Sequence, residues 1–120
     1  MKHLNAAQKL RHATLELTDA AGELCAVAVA LGEPEIEKLL AQAIRVASCV
    51  SLGLDARDPG DAEDCLSEAR GAAAALAARI HIAVSRGVVH PQTGLMIRLR
   101  IRTVVDEIDV QRYRRRRMAG

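Results

Sequence analysis

The sequence predicts an all-α protein, an antiparallel up-down-up-down four-helix bundle. Three observations lead there. The 120 residues include no Trp, no Phe and a single Tyr, at position 113, while alanine is abundant. Strands draw on aromatic and β-branched residues, whereas Ala and Leu are strong helix formers. Apolar residues recur at steps of three and four through four separate segments, the signature of amphipathic helices. Short Gly- and Pro-bearing connections separate these segments, which places consecutive helices side by side and antiparallel. The length suits one domain with a modest core. With 50% of residues apolar, disorder is not expected.

The first helix is predicted from about Asn5 to Leu31. Its stripe is Leu10, Ala13, Leu17, Ala20, Leu24, Val27 and Leu31, and Gly32 is suited to end it. The second begins at Pro34, a residue favoured at the first helical position. Glu33, Glu35 and Glu37 lie in or near its first turn, where the helix dipole favours acids. Ile36, Leu40, Ala43, Ala47, Val50 and Leu54 form its stripe, and Gly53 is expected to weaken or end it.

DARDPGD (55–61) reads as the clearest loop, with Pro59-Gly60 as its turn. Asp61 is expected to cap the third helix, with Asp64 in its first turn. That helix should run to about Arg86 and stop at Gly87, with a stripe of Ala62, Leu66, Ala69, Ala73, Leu76, Ile80 and Ala83. The run Gly71 to Ala75 makes it thin enough for a neighbour to approach closely.

After the connection VVHPQTG (88–94), in which Pro91 is placed to open the fourth helix, comes MIRLRIR (96–102). Its strict alternation also fits a strand. The strand reading fails at the acidic run DEID (106–109), whereas at 100° per residue Ile97, Ile101, Val104 and Ile108 share one arc. A helix is therefore predicted. It leaves Leu99 and Met96 facing outward, a hint of a second apolar contact with another subunit. From Arg112 the pattern dissolves into RYRRRRMAG. The expected organisation is thus a bundle domain over 1–111 and a basic, flexible tail over 112–120.

Charge is unevenly spread. Residues 1–78 hold seven Lys/Arg against twelve Asp/Glu, net −5, and residues 79–120 hold ten Arg against three acids, net +7. Such asymmetry points to a polyanion or to an acidic protein surface. The strongest functional feature is the tail: Arg112, Tyr113, Arg114, Arg115, Arg116 and Arg117. Guanidinium groups bind phosphate bidentately and displace condensed counterions, and Tyr113 could stack on an unpaired base. Arg98, Arg100 and Arg102 form a second basic cluster, with Arg79 and Arg86 as candidate neighbours. The competing reading pairs Arg102 with Asp106 as a helix-surface ion pair. It also docks the tail on the acidic half of a neighbour.

Other function classes find little support. Cys25, Cys49 and Cys65 fall in three predicted helices, with no CxxC, HxxxH or ExxH spacing. Buried thiols in a reducing setting are expected, with no metal or cofactor. His3, His12 and His90 read as surface or connection residues. No phosphate-cradling glycine loop, Gly-x-Ser-x-Gly or nucleophile–base pair occurs, so no enzymatic activity is expected. MKHLNAAQKLRH lacks an apolar signal region, and the longest apolar run, CAVAVAL (25–31), is far too short to span a membrane. A cytoplasmic location is expected.

The stretch IRVASCVSLGLDARDPGDAEDCLSEARGAAAALAARIHIAVSRGVV (44–89) resembles a known family. These are the four-helix-bundle proteins encoded by intervening sequences of bacterial 23S ribosomal RNA genes, related to the accessory variability proteins of diversity-generating retroelements. Gly53 stands at the family's signature glycine, Ala69-Arg70-Gly71 matches its next motif, Leu76 the following leucine, and VVDEI (104–108) its last helix. Leu52, Cys49, Ala72 and Ala75 stand where the family has Glu, Asn, Ser and Glu. The resemblance implies a ring-like homopentamer of bundles without enzymatic activity. It also implies nucleic-acid binding and a reverse transcriptase as protein partner.

Overall fold

The computed structural model describes residues 4–31 and 33–119, except for the side chains of 28–31 and 119. Within them the chain is all-helical: α1 (Ala6–Leu31), α2 (Pro34–Asp55), α3 (Pro59–Ser85) and α4 (Pro91–Ala119). There is no strand among the described residues, and MIRLRIR lies inside α4. Each helix packs on its chain neighbours, and α4 returns to close the square on α1. Connections of two to five residues leave long consecutive helices no alternative to antiparallel packing.

Local chemistry explains most helix ends. Asn5 and Gln8 cap α1 reciprocally: the Gln8 amide donates to Asn5 Oδ1 at 2.8 Å, and the Asn5 amide to Gln8 Oε1 at 2.9 Å. Pro34 opens α2 after Glu33, with Glu35 and Glu37 in the first turn. α3 starts at Pro59, three residues earlier than expected. Asp58, not Asp61, is its N-cap, accepting from the Asp61 amide at 3.0 Å. The loop is therefore only 56–58, because Pro59 prefers the first helical position to a turn. α3 ends where predicted. Gly87 is left-handed at φ +75°, the Gly87 amide donates to the Val84 carbonyl and the Val88 amide to that of Ala83, a Schellman closure. His90 then caps α4 through Nδ1, which accepts from the Gln92 amide at 3.1 Å. Gly32, expected to end α1, lies outside the described residues, as does His3.

The core is aliphatic. The α3 stripe is buried in full, and so are Ile97, Ile101, Val104 and Ile108 of α4. Two stripes differ from expectation. In α2, Leu39, Val46 and Cys49 are buried, whereas Leu40, Ala47 and Leu54 are only half-buried. In α1 the buried line continues through Ala21 and Cys25, while Ala20 and Leu24 are half-buried and Val27 is 63% exposed. As a whole, α1 packs more extensively on α2 than on α4. The α1–α4 side is left with a groove of about 430 Å³, whose lining includes Ala20, Leu24, Val27, Val88 and Met96.

Gly53 does not end α2, which passes through it to Asp55. An added Cβ there would lie 2.9 Å from Leu66 Cγ and Cδ2 and 3.3 Å from Cys65 Cβ. The glycine is present because α3 passes too close for a side chain.

An ion pair spans every neighbouring helix interface. Arg11 meets Asp55 (α1–α2, 2.7 Å) and Arg45 meets Glu68 (α2–α3, 2.7 Å). Arg70 meets Asp109 (α3–α4, 2.8 Å) and Arg100 meets Glu16 (α4–α1, 2.6 Å). Exposed pairs contribute little energy each, about 0–1 kcal/mol.

Candidate nucleic-acid interface

The candidate residues all lie on α4, and the helix does not stop at residue 111. It continues through Ala119, so 112–119 is a helical extension of the bundle; Gly120 lies outside the described residues. The extension is helical for a tertiary reason. Arg112 Nε donates to Glu63 Oε1 at 3.0 Å, and Arg116 Nη2 reaches the same oxygen at 2.8 Å. Arg115 Nη2 donates to the Leu54 carbonyl at 3.3 Å, in the last turn of α2, where carbonyls lack helical partners. These contacts tie the end of α4 to the α2–α3 corner. One nitrogen, Arg115 Nε, is buried without a hydrogen-bond partner.

The nine candidates therefore divide. Arg100, Arg112 and Arg115 are half-buried and engaged within the bundle, and Arg116, though exposed, shares Glu63. The tail does dock on an acid, but on its own chain. Arg98, Arg102, Arg114 and Arg117 are exposed, and none pairs with a carboxylate of another helix among the described residues. Arg102 stands 3.7 Å from Asp106 on the same helix, the local pair expected from spacing. Arg117 donates to the Tyr113 hydroxyl at 3.0 Å, its guanidinium 5.8 Å from the ring centre. Tyr113 is itself 59% exposed. From Arg98 to Arg117 the helix covers about 29 Å at 1.5 Å per residue, with Asp106 and Asp109 between the two basic ends. Arg79 on α3 and Arg86 just past its end line a separate cleft with Glu35 and Leu39 of α2.

Leu99 and Met96 are each 58% exposed, as their outward position predicted, and Leu95 beside them is 49% exposed. Met96 also borders the open α1–α4 groove. Sequence reasoning missed Glu63 and Glu16 as partners of the α4 arginines. No local spacing could reveal them, because they lie 49 and 84 residues from Arg112 and Arg100. Among the described residues no group of three or more His, Cys, Asp or Glu is placed to hold a metal ion, and no helix is long and apolar enough to cross a membrane.

The Arg112 hydrogen bond, assisted by Arg116 and opposed by desolvation, holds the Glu63 carboxyl below its ordinary value. A depressed folded-state value means that the stabilisation is complete above the unfolded carboxylate range, about pH 4.3, and is lost as pH falls through the folded value. Glu63 is 34% exposed, so the effect is modest, at most about 1 kcal/mol. Glu63→Gln should therefore reduce stability at pH 7 and narrow its difference from wild type between pH 4 and 2. Equal differences at both pH values, measured by urea unfolding, would refute the ion-pair account.

No protein-family model, no curated protein and no solved structure matches the chain.

Proposed function

We propose that this protein is a non-enzymatic, nucleic-acid-binding accessory protein that works as a homo-oligomer without a cofactor. The observation that carries the reading is the set of exposed arginines on α4. Arg98, Arg102, Arg114 and Arg117 have no carboxylate from another helix among the described residues, and Tyr113 stands exposed among them. Arginines so placed suit phosphate contacts, and an exposed ring suits stacking on an unpaired base. Arg100, Arg112 and Arg115 position the helix in this reading, and Arg116 joins the contact surface by exchanging Glu63 for phosphate.

The resemblance over 44–89 extends the proposal. It supports membership of the 23S intervening-sequence and retroelement-accessory family, a cytoplasmic pentameric ring, and a role bridging RNA or DNA to a reverse transcriptase. Self-association is also supported by the exposed Leu95, Met96 and Leu99 beside the uncovered groove, since apolar patches of this kind favour contact with another protein surface. In a ring, a weak basic patch on every subunit would add up. The second reading is an adaptor or assembly protein whose basic helix docks on an acidic partner. It is favoured by the ease with which Arg112 and Arg116 already accept a carboxylate.

The test is binding of the full-length protein to structured RNA and to duplex DNA across a salt series, with mass measured by light scattering. Steeply salt-dependent binding by an oligomer is expected. No binding even at low salt would eliminate the nucleic-acid reading and leave the adaptor. Truncation at 111 is a poor probe, because it removes the contacts that Arg112, Arg115 and Arg116 make to the bundle.

A further inference from the structure

The α2–α3 interface holds two thiols that the proposed function does not use. Its register is set by Gln42, whose Nε2 donates to the Ala72 carbonyl at 3.1 Å, and by the Arg45–Glu68 pair. One heptad along α2 from Gln42 is Cys49; one heptad back along antiparallel α3 from Ala72 is Cys65. A heptad step returns a helix to nearly the same face, so Cys49 and Cys65 lie on the facing sides of α2 and α3, within about one turn of each other. The next turn of α2 presents Gly53, where an added Cβ would sit 3.3 Å from Cys65 Cβ. Cys65 thus packs where the two backbones come unusually close. A disulfide requires such closeness, with Cα atoms about 4.4–6.8 Å apart.

We infer that Cys49 and Cys65 are a redox-responsive pair that closes to an intrachain disulfide between α2 and α3 when the protein meets a small hydroperoxide. Cys65 is partly exposed and Cys49 is buried, so the oxidant reaches Cys65 first. The Cys65 thiolate attacks a peroxide oxygen: an S–O bond forms, the O–O bond breaks, and the departing oxygen leaves protonated, as water when the oxidant is hydrogen peroxide. The Cys49 sulfur then attacks the Cys65 sulfenic sulfur. The S–S bond forms, the S–O bond breaks, and hydroxide leaves with the Cys49 proton as water. Two thiols lose two electrons in all, and the peroxide gains them. Burial, then the Glu68 carboxylate, pushes the Cys49 thiol up, with Arg45 acting in the opposite sense. A buried thiol shifted in this direction is slow to attack peroxide itself, which leaves Cys49 to the second step. Cys25, on α1, takes no part. The closed form fixes the α2–α3 hairpin, whether or not the protein binds nucleic acid.

The test uses the reduced full-length protein treated with hydrogen peroxide under native conditions, then unfolded in a maleimide and examined by mass spectrometry. The expected product is a monomer with one labelled thiol of three, lighter by two hydrogens before labelling, and restored by dithiothreitol. Trypsin should yield a cross-linked pair of the peptides containing Cys49 and Cys65. Cys25→Ser should behave as wild type. Cys49→Ser should stop at a sulfenic acid on Cys65, trapped by dimedone. The oxidised wild type should melt several degrees higher than the reduced protein. Three labelled thiols after peroxide, a cross-link involving Cys25 or a second chain, or a lower melting temperature on oxidation would each overturn the inference.

Discussion

Leu66→Ala lowers the stability of the bundle by about 2–5 kcal/mol, the range for a buried leucine whose cavity cannot fully collapse. Leu66 is completely buried, in the α3 stripe, and its Cγ and Cδ2 fill the space left by the missing side chain of Gly53. Gly53→Ala is the matching test from the other helix. Alanine gains about 1 kcal/mol of helix propensity over glycine, but its methyl would sit 2.9 Å from two carbons of a leucine with nowhere to move. Overpacking of this kind costs about 1–3 kcal/mol, so the clash wins and the variant is less stable than wild type. In the double variant the methyl introduced at position 53 enters the space that Leu66 vacates. Its loss should be smaller than the sum of the two single losses by about 1 kcal/mol or more. Urea unfolding at neutral pH measures all four proteins. A stabilised Gly53→Ala, or strictly additive losses, would show that α2 and α3 are not in contact at this point.

On the proposed nucleic-acid reading, replacing Arg98, Arg102, Arg114 and Arg117 together by Gln should lower affinity by about 100-fold or more near 0.1 M salt. It should also reduce the log–log salt slope on duplex DNA by about 3.6, since each of the four neutralised phosphates contributes roughly 0.9. Folding should be almost unaffected. None of the four pairs with another helix among the described residues, and Gln is a good helix former. The control is Arg70→Gln, which removes the exposed α3–α4 pair with Asp109 and should leave the slope unchanged. An unchanged slope in the fourfold variant would move the contact surface off α4. Tyr113→Leu separates stacking from charge. It should weaken single-stranded binding by an amount that salt does not alter, because stacking releases no counterions.

Several of these features were readable along the chain. The α3 stripe from Ala62 to Ala83 was legible because its positions repeat the helical period; it missed only Ala72, which is buried beside it. Pro34, Gly87 and Pro91 marked helix ends through their own backbone preferences. Gly53 misled, since its intrinsic preference is to end a helix, and only the approach of Leu66 explains a glycine inside one. Arg112–Arg117 misled in the same way. Consecutive arginines resemble a solvated tail until Glu63 and the Leu54 carbonyl are placed beside them. In the second half of α1 the expected stripe Ala20–Leu24–Val27 gave way to Ala21 and Cys25, a choice made by the helices that pack on it and not by the period itself.

By itself, then, the sequence determined that this is a four-helix protein, where most helices start and stop, and that its positive charge collects on the last of them. These depend on side-chain period, backbone preference and composition, all of which act within a few residues. Only the tertiary structure decided which arginines are held and which are exposed, which glycine is a contact, and that two cysteines face each other. Each of those depends on a partner tens of residues away, brought near by burial of an aliphatic core that is largely indifferent to the charges and thiols around it.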